Sequence, residues 1–422
     1  MELIDNLGVL NIPCTYSRMV PYNVTEVLNH MYLIIRNVRL IDGTGAEPVL
    51  AATVVVENGV ITSIGNEGPL SLNHKHYEYI NGEDLTLLPG IFDAHEHFAG
   101  DGGKNGVWAM ADDSREVLLA KGAANARRAL MTGQTSARDV GSPNGVSITL
   151  AQQVASGSIT GPRITAAGSW IQAPTTWPYP FVTMIQNKAE MRNVISQQIA
   201  QGAGLIKVGS TGTNEDGSDY ATLGPEIAMM VVEMAHAAGL KAAAHSVGIA
   251  GTKEVVKAGI DSIEHGFFID EETSQLMAEK GTVLVPTMST WDNRLQHAVS
   301  WGLTRDEIRA SEMRREASIA SFKRCLAAGV KVAAGTDAGG CPVRHGTLVR
   351  EMEVMIEAGL TNMQAIEAAT RTPAELAGTI NNVGTIEVGK LADLILVDGD
   401  PLDDIAALRN IWAVFQGGRR IR

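Results

Sequence analysis

The chain has 422 residues, of which 45% are hydrophobic, and carries 34 Lys and Arg against 47 Asp and Glu for a formal charge of −13; it can bury a large core and build more than one domain. An acidic chain without a basic tract argues against nucleic acid or an anionic membrane surface as a partner, and no apolar run approaches the roughly 20 residues that span a bilayer. Three scattered cysteines, Cys14, Cys325 and Cys341, are no disulfide framework, and the first residues lack the basic start and apolar core of a signal peptide, so a cytoplasmic protein is expected.

Residues 1–31 read as an N-terminal arm without clear periodicity. Organised sequence begins with "YLIIRNVRLIDGTG", "ATVVVENGVITSIG" and "DLTLLPG", β-rich segments punctuated by Asp-Gly and Asn-Gly turn signals. The same texture returns at the far end in "GTIEVGKLADLILVDGDP" and "IWAVFQGGRRIR". One small β-sandwich built from both chain ends, residues 32–89 and 382–422, is therefore expected. Between them the pattern alternates. Short apolar runs at 88–97, 134–140, 163–170, 204–210, 241–246, 259–266, 281–288 and 331–339 are separated by helical stretches such as "GPEIAMMVVEMAHAAGL". Eight such units over residues 90–381 predict an α/β chain, a (β/α)8 TIM barrel.

In that architecture chemistry sits at the C-terminal ends of the strands. The first run ends in "DAHEHFAG", where His95 and His97 are two apart and so share a face of the strand. The fourth run carries Lys207, the fifth ends at His245, the sixth at His265 and the eighth at Asp337. One His-x-His alone proves little, since a packed or surface histidine is commoner than a ligand. A second pair, His74 and His76, sits in a polar stretch and reads as surface, and His236 falls inside a helix. Four histidines, a lysine and an aspartate converging on one mouth point to metal.

Taken together, "PGIFDAHEH", "TSARDVG", "DSIEHG", "GTDAG" and "VGKLADLILVDGDP" resemble the signatures of the metal-dependent amidohydrolases. The likeness extends over residues 32–422. It is greatest to the imidazolonepropionase-like group, which includes Xaa-Pro dipeptidases and ochratoxin-hydrolysing amidases. The resemblance implies two divalent metal ions, zinc by default, one held by His95, His97 and Asp337 and the other by His245 and His265. An ammonium has no lone pair to offer a metal. The resemblance accordingly implies that Lys207 is carboxylated by CO2 and bridges both ions as a carbamate, beside a bridging hydroxide.

By the same resemblance Asp337 is the catalytic proton shuttle. The implied activity is hydrolysis of an amide, peptide-like bond in a small molecule, a dipeptide or an N-acyl amino acid, ochratoxin-like amides included. A cyclic-amide or xenobiotic hydrolase and a non-catalytic scaffold are the alternatives. Tyr220 matches a family tyrosine that contacts the scissile carbonyl, and His345 and Arg138 are candidate carboxylate or carbonyl contacts. Relatives of this kind imply a homo-oligomer. The segments "KVGSTGTNEDGSD" and "GTDAGGCPVRHG" depart from the dipeptidase pattern and argue against a strict prolidase. Cys341, near the mouth, reads as a free thiol.

Overall fold

The computed structural model describes residues 32–65, 77–174, 179–213 and 219–422. The arm, the His74 and His76 pair, Cys14 and most of the acidic stretch after Thr213 lie outside the described residues. Five strands open the described chain: β1 (Tyr32–Leu40), β2 (Val49–Glu57), β3 (Val60–Gly65), β4 (Tyr77–Asn81) and β5 (Leu85–Pro89). Shorter ones follow between helices: β6 (Ile91–Glu96), β7 (Gln134–Asp139), β8 (Arg163–Ala166), β9 (Trp170–Gln172), β10 (Val182–Met184), β11 (Leu205–Gly209), β12 (Thr211–Thr213), β13 (Asp219–Ala221), β14 (Lys241–Ser246), β15 (Ser262–His265) and β16 (Val283–Val285). The last three are β17 (Leu394–Asp398), β18 (Ile411–Gln416) and β19 (Arg419–Arg420).

Strands from both chain ends share one hydrogen-bonded sheet, in the order β19-β18-β17-β5-β1-β2-β3, with β4 beside β1. The two halves of β1 take different parallel partners. Residues 32–36 pair with β4, and Arg39 and Leu40 pair with β5. The strands expected to form the sandwich are thus joined along one eight-stranded path that branches at β1. Asn58 and Gly59 join β2 to β3 with φ of 51° and 85°, the left-handed pair that a tight hairpin demands. Leu33, Ile35, Val54, Leu87, Leu394, Leu396 and Phe415 bury together on this sheet.

The central strands are parallel, and the helices cover them. Their ladders fall into two pieces, β6-β7-β8 and β10-β9-β11-β14-β15-β16, linked by a backbone bond from Gly204 N to Ala166 O of 2.8 Å. The eighth strand expected over 331–339 is not a regular strand. It meets its neighbours only at the bridges Leu284↔Val332 and Glu96↔Ala338 and through bonds such as Ala94 N to Ala334 O, 2.9 Å, and Asp337 N to His95 O, 2.8 Å. Two residues explain the break. Asp337 has φ 57°, which ends the pleat. Gly335 packs so closely that a Cβ would lie 2.5 Å from Val285 and 2.8 Å from His95. The core between sheet and helices is aliphatic, with Ile206, Val208, Ala244, Ile263 and Leu284 packed against Val231, Val255, Phe322 and Met352. Among the described residues no helix is long and apolar enough to cross a membrane.

Candidate metal centre

The strand ends bring the sequence-derived candidates together. Register sets Lys207 opposite Ala243, Gly209 opposite His245 and Ser246 opposite His265, so Lys207, His245 and His265 stand on three adjacent strands. The ring centroids of His245 and His265 are 4.7 Å apart, those of His95 and His265 4.9 Å, and those of His95 and His97 5.4 Å. Asp337 Oδ1 lies 3.5 Å from His95 Nε2 and 3.4 Å from His97 Nε2. Ligand atoms of His95, His265 and Asp337 all lie within 4.8 Å of one another. His95, His97, Lys207, His265 and Asp337 are buried.

The backbone is bent to achieve this. His265, Thr287 and Asp337 have φ of 73°, 50° and 57°, a left-handed conformation that costs a non-glycine residue about 1–3 kcal/mol and gathers at functional sites. All three sit at or just beyond strand ends on the same side of the sheet.

The electrostatics suit these groups to hold a metal ion. Burial holds His95 down at about 4 and His265 at about 3, and it lowers His245 well below its ordinary value; each is therefore a neutral imidazole with a lone pair to give at neutral pH. Burial resists ionisation of Asp337, but His95, His97 and His265 outweigh it and hold the carboxyl below its usual range. Burial brings Lys207 down to about 8, Arg138 adding to the effect and Glu264 and Asp337 opposing it. Lys207 Nζ is buried and has no hydrogen-bond partner among the described residues. A buried polar group left bare is costly, so this amine is placed for a group that the chain itself does not supply.

Three of the imidazoles are held by their other nitrogen. His95 Nδ1 donates to Glu264 Oε2 at 2.7 Å, His97 Nδ1 donates to Gly141 O at 2.6 Å, and His265 Nδ1 lies 2.8 Å from Thr287 Oγ1. Such partners fix the tautomer and aim Nε2 at the centre. Glu264 Oε1 in turn accepts from Arg138 Nη2 at 2.5 Å and Ser262 Oγ at 2.6 Å. Asp93 ties the first strand to the irregular eighth segment by accepting from His95 N, Thr336 N and Thr336 Oγ1.

Two expected substrate contacts are turned towards internal partners. Arg138 is 1% exposed, its guanidinium committed to Glu264 and Ser262. His345 is 2% exposed, with Nδ1 at 3.1 Å from Glu96 Oε1 and Nε2 at 2.9 Å from Gly100 O. His345 has both ring nitrogens occupied, and Arg138 keeps only a buried Nε without a hydrogen-bond partner among the described residues. Tyr220 lies half-buried on β13, paired with Gly212 across the hairpin that follows Lys207's strand. His236 pairs with Asp261 on the surface at 2.8 Å, as its place in a helix implied. Sequence reasoning missed Glu264 and Thr287. The signal for Glu264 was its place beside His265 in "DSIEHG": strict alternation would send the two neighbours to opposite faces, and the left-handed His265 lets both serve the centre. It also missed the aromatic wall, where Trp170 meets His245 at 4.5 Å and Phe181 meets His97 at 5.0 Å.

The sequence model of the amidohydrolase family matches residues 86–421. Ochratoxinase of Aspergillus niger is 27% identical over 417 residues, which cover 90% of this chain and 84% of that protein. The crystal structure of a Xaa-Pro dipeptidase with methionine bound in its active site superposes on 93% of this chain and 100% of its own, with a TM-score of 0.83 and 31% identity. The crystal structure of A. niger ochratoxinase superposes on 93% of this chain and 96% of its own, with a TM-score of 0.81 and 26% identity.

Proposed function

Because the chain belongs to the amidohydrolase family and is a hydrolase acting on amide bonds, we propose that it cleaves a dipeptide or an N-acyl amino acid, ochratoxin-like amides included, at a centre for two divalent metal ions. The observation that carries this reading is Lys207, a buried amine without a partner beside neutral histidines. The donor set fits the ions: His95, His245 and His265 are kept neutral by burial, His97 is aimed by its Nδ1 contact, Asp337 is an ionised carboxylate, and Lys207 is an amine whose lowered pKa favours attack on CO2. In that reaction the amine nitrogen bonds the CO2 carbon and releases a proton, leaving an anionic carbamate on Nζ. His95, His97 and Asp337 would hold one ion and His245 and His265 the other, with Lys207 in its carbamate form as a further anionic ligand. Ions bound there, zinc by default, would supply polarisation of the amide carbonyl and a lowered pKa for water.

The chain's own residues do the rest. Asp337 accepts the proton of the attacking water on its carboxylate and returns it to the departing nitrogen. Tyr220, on the hairpin after β11, contacts the scissile carbonyl. Glu264, Thr287 and Gly141 keep the imidazoles aimed, and Trp170 and Phe181 keep that side of the mouth dry. The reading extends to a barrel closed over residues 90–381, supported by the backbone bonds across the irregular eighth segment. It extends also to an N-terminal arm at 1–31, a β unit of residues 32–89 and 382–422, and a cytoplasmic homo-oligomer.

Metal analysis of the purified chain, with a screen of dipeptides and N-acyl amino acids, tests the reading. About two equivalents per chain with turnover supports it. No metal after growth with added zinc, and no turnover, would point to a scaffold instead.

A further inference from the structure

With Arg138 and His345 committed to internal partners, the carboxylate of an amino-acid-derived substrate has to be met elsewhere. A line of contacts leads away from the candidate centre. The His265 ring is 5.7 Å from Phe267, Phe267 packs edge-on against Trp291 at 5.3 Å, and the Arg314 guanidinium lies 5.6 Å from the Trp291 ring. Exposure rises along that line, from Phe267 at 8% and Trp291 at 9% to a solvent-facing Arg314.

Two donors on this line lack acceptors. Trp291 Nε1 is buried without a hydrogen-bond partner among the described residues. Arg314, on the helix Arg305–Ala327, has no carboxylate within ion-pair distance among them either. Its helix neighbours three and four residues away are Ala310, Ser311, Ala317 and Ser318, none of which can pair with it. The adjacent Arg315, by contrast, is paired with Asp292.

The indole lies at the strand ends. Trp291 is on the helix Ser289–Gln296 that follows β16, and the adjacent Thr290 donates through Oγ1 to Thr336 O at 3.3 Å, next to Asp337.

We propose that Arg314, with the indole N–H of Trp291, is the subsite for the substrate's free carboxylate. This rests on the proposed hydrolysis of N-acyl amino acids or dipeptides. A guanidinium grips a carboxylate through two parallel N–H bonds, and an indole N–H can only donate. Both can bond the two anionic oxygens of a carboxylate, whereas a carboxamide offers them one acceptor oxygen and no charge. The subsite selects substrates that end in a free acid.

The test uses the metal-loaded enzyme and matched pairs of probes, N-acyl amino acids and their C-terminal carboxamides. Rates and competitive binding are measured for the wild type, Arg314→Met, Arg314→Lys and Trp291→Phe. The wild type prefers the acid over the carboxamide by about 10- to 100-fold, the worth of a charge-assisted pair. Arg314→Met brings the two within about threefold without weakening the carboxamide. Arg314→Lys restores part of the preference, and Trp291→Phe loses part of it while keeping the ring. An acid preference that survives Arg314→Met, or none in the wild type, overturns the subsite. Failure of the amide-hydrolysis reading looks different: the wild type turns over neither member of any pair. Competitive binding, read by calorimetry, still judges Arg314 in that case, and binding of neither probe rejects the subsite.

Discussion

Glu264 sets the orientation of His95: its Oε2 accepts from His95 Nδ1 at 2.7 Å, leaving Nε2 as the nitrogen that faces Asp337. The other oxygen of the same carboxylate is held by Arg138, so a fully buried ion pair stands behind one candidate ligand. Burial opposes ionisation of Glu264, and Arg138 and Lys207 overcome it to keep the group well below its usual range.

Arg138→Met should therefore be costly to the fold. It leaves the Glu264 charge buried without its main partner, a loss of about 3–5 kcal/mol for a broken buried pair. Urea unfolding of both proteins measures it. A stable variant with weakened substrate binding would instead return Arg138 to the substrate.

Lys207→Ala should lose metal and activity together, and formate or acetate should restore part of both by supplying a small carboxylate where the carbamate would stand. Metal analysis and rates with and without the added acid check this. Ala at His74 and His76 serves as the control and should leave metal content unchanged. A fully metallated, active Lys207→Ala would remove the carbamate from the reading.

Asp337→Asn keeps the shape of the side chain and removes its capacity to accept a proton. Metal should be largely retained, and kcat should fall by about 10²–10⁴-fold, the usual worth of a positioned acid–base group. The neighbouring histidines hold the wild-type carboxyl below its usual range. It is then ionised throughout pH 5–8, and the loss should appear at every pH in that window. Near-normal turnover would show that the proton travels by another route.

His345 carries a pH signature of its own. Burial holds it at about 4 against an ordinary 6.5, while burial pushes Glu96 up to about 8. At neutral pH a protonated Glu96 can donate to His345 Nδ1 while His345 Nε2 donates to Gly100 O. As pH falls below 6.5 the unfolded chain takes up a proton at this histidine, whereas the folded chain does so only near 4. Its contribution to stability is therefore present above pH 6.5 and lost on acidification towards 4, on the order of 3 kcal/mol. Ring resonances of ¹³C-labelled histidine should show His345 unchanged from pH 8 to 5. A midpoint near 6.5 would contradict the buried pair.

The parts of this molecule governed by local pattern were legible. Apolar runs closed by turn residues marked the strands, and the i, i+2 spacing of His95 and His97 marked one face. Partners were less so. Arg138 and Glu264 are 126 residues apart, and nothing near either one announces the other; an arginine at a strand end was read as reaching outward when its acid was waiting inside. The eighth strand failed for a different reason. Its sequence is apolar enough, but the left-handed turn at Asp337 is imposed by surroundings that no local propensity encodes. The kinship of the two chain ends was legible as texture, but alternation finds strands without saying which edges join.

The sheet that unites the chain ends also sets a schedule. Strand β17 lies between β5 and β18, and the bond from Thr86 Oγ1 to Gly399 O spans 313 residues. A ribosome adding about 5–20 residues per second delivers the second partner of β5 some tens of seconds after β5 itself emerges. Until then β5, which runs through Gly90 directly into the strand bearing His95, presents an unpaired apolar edge, the kind that recruits strands from other chains. Nascent chains stalled before residue 394 should thus be sticky and metal-free. The centre, though built from the middle of the sequence, is finished from its end.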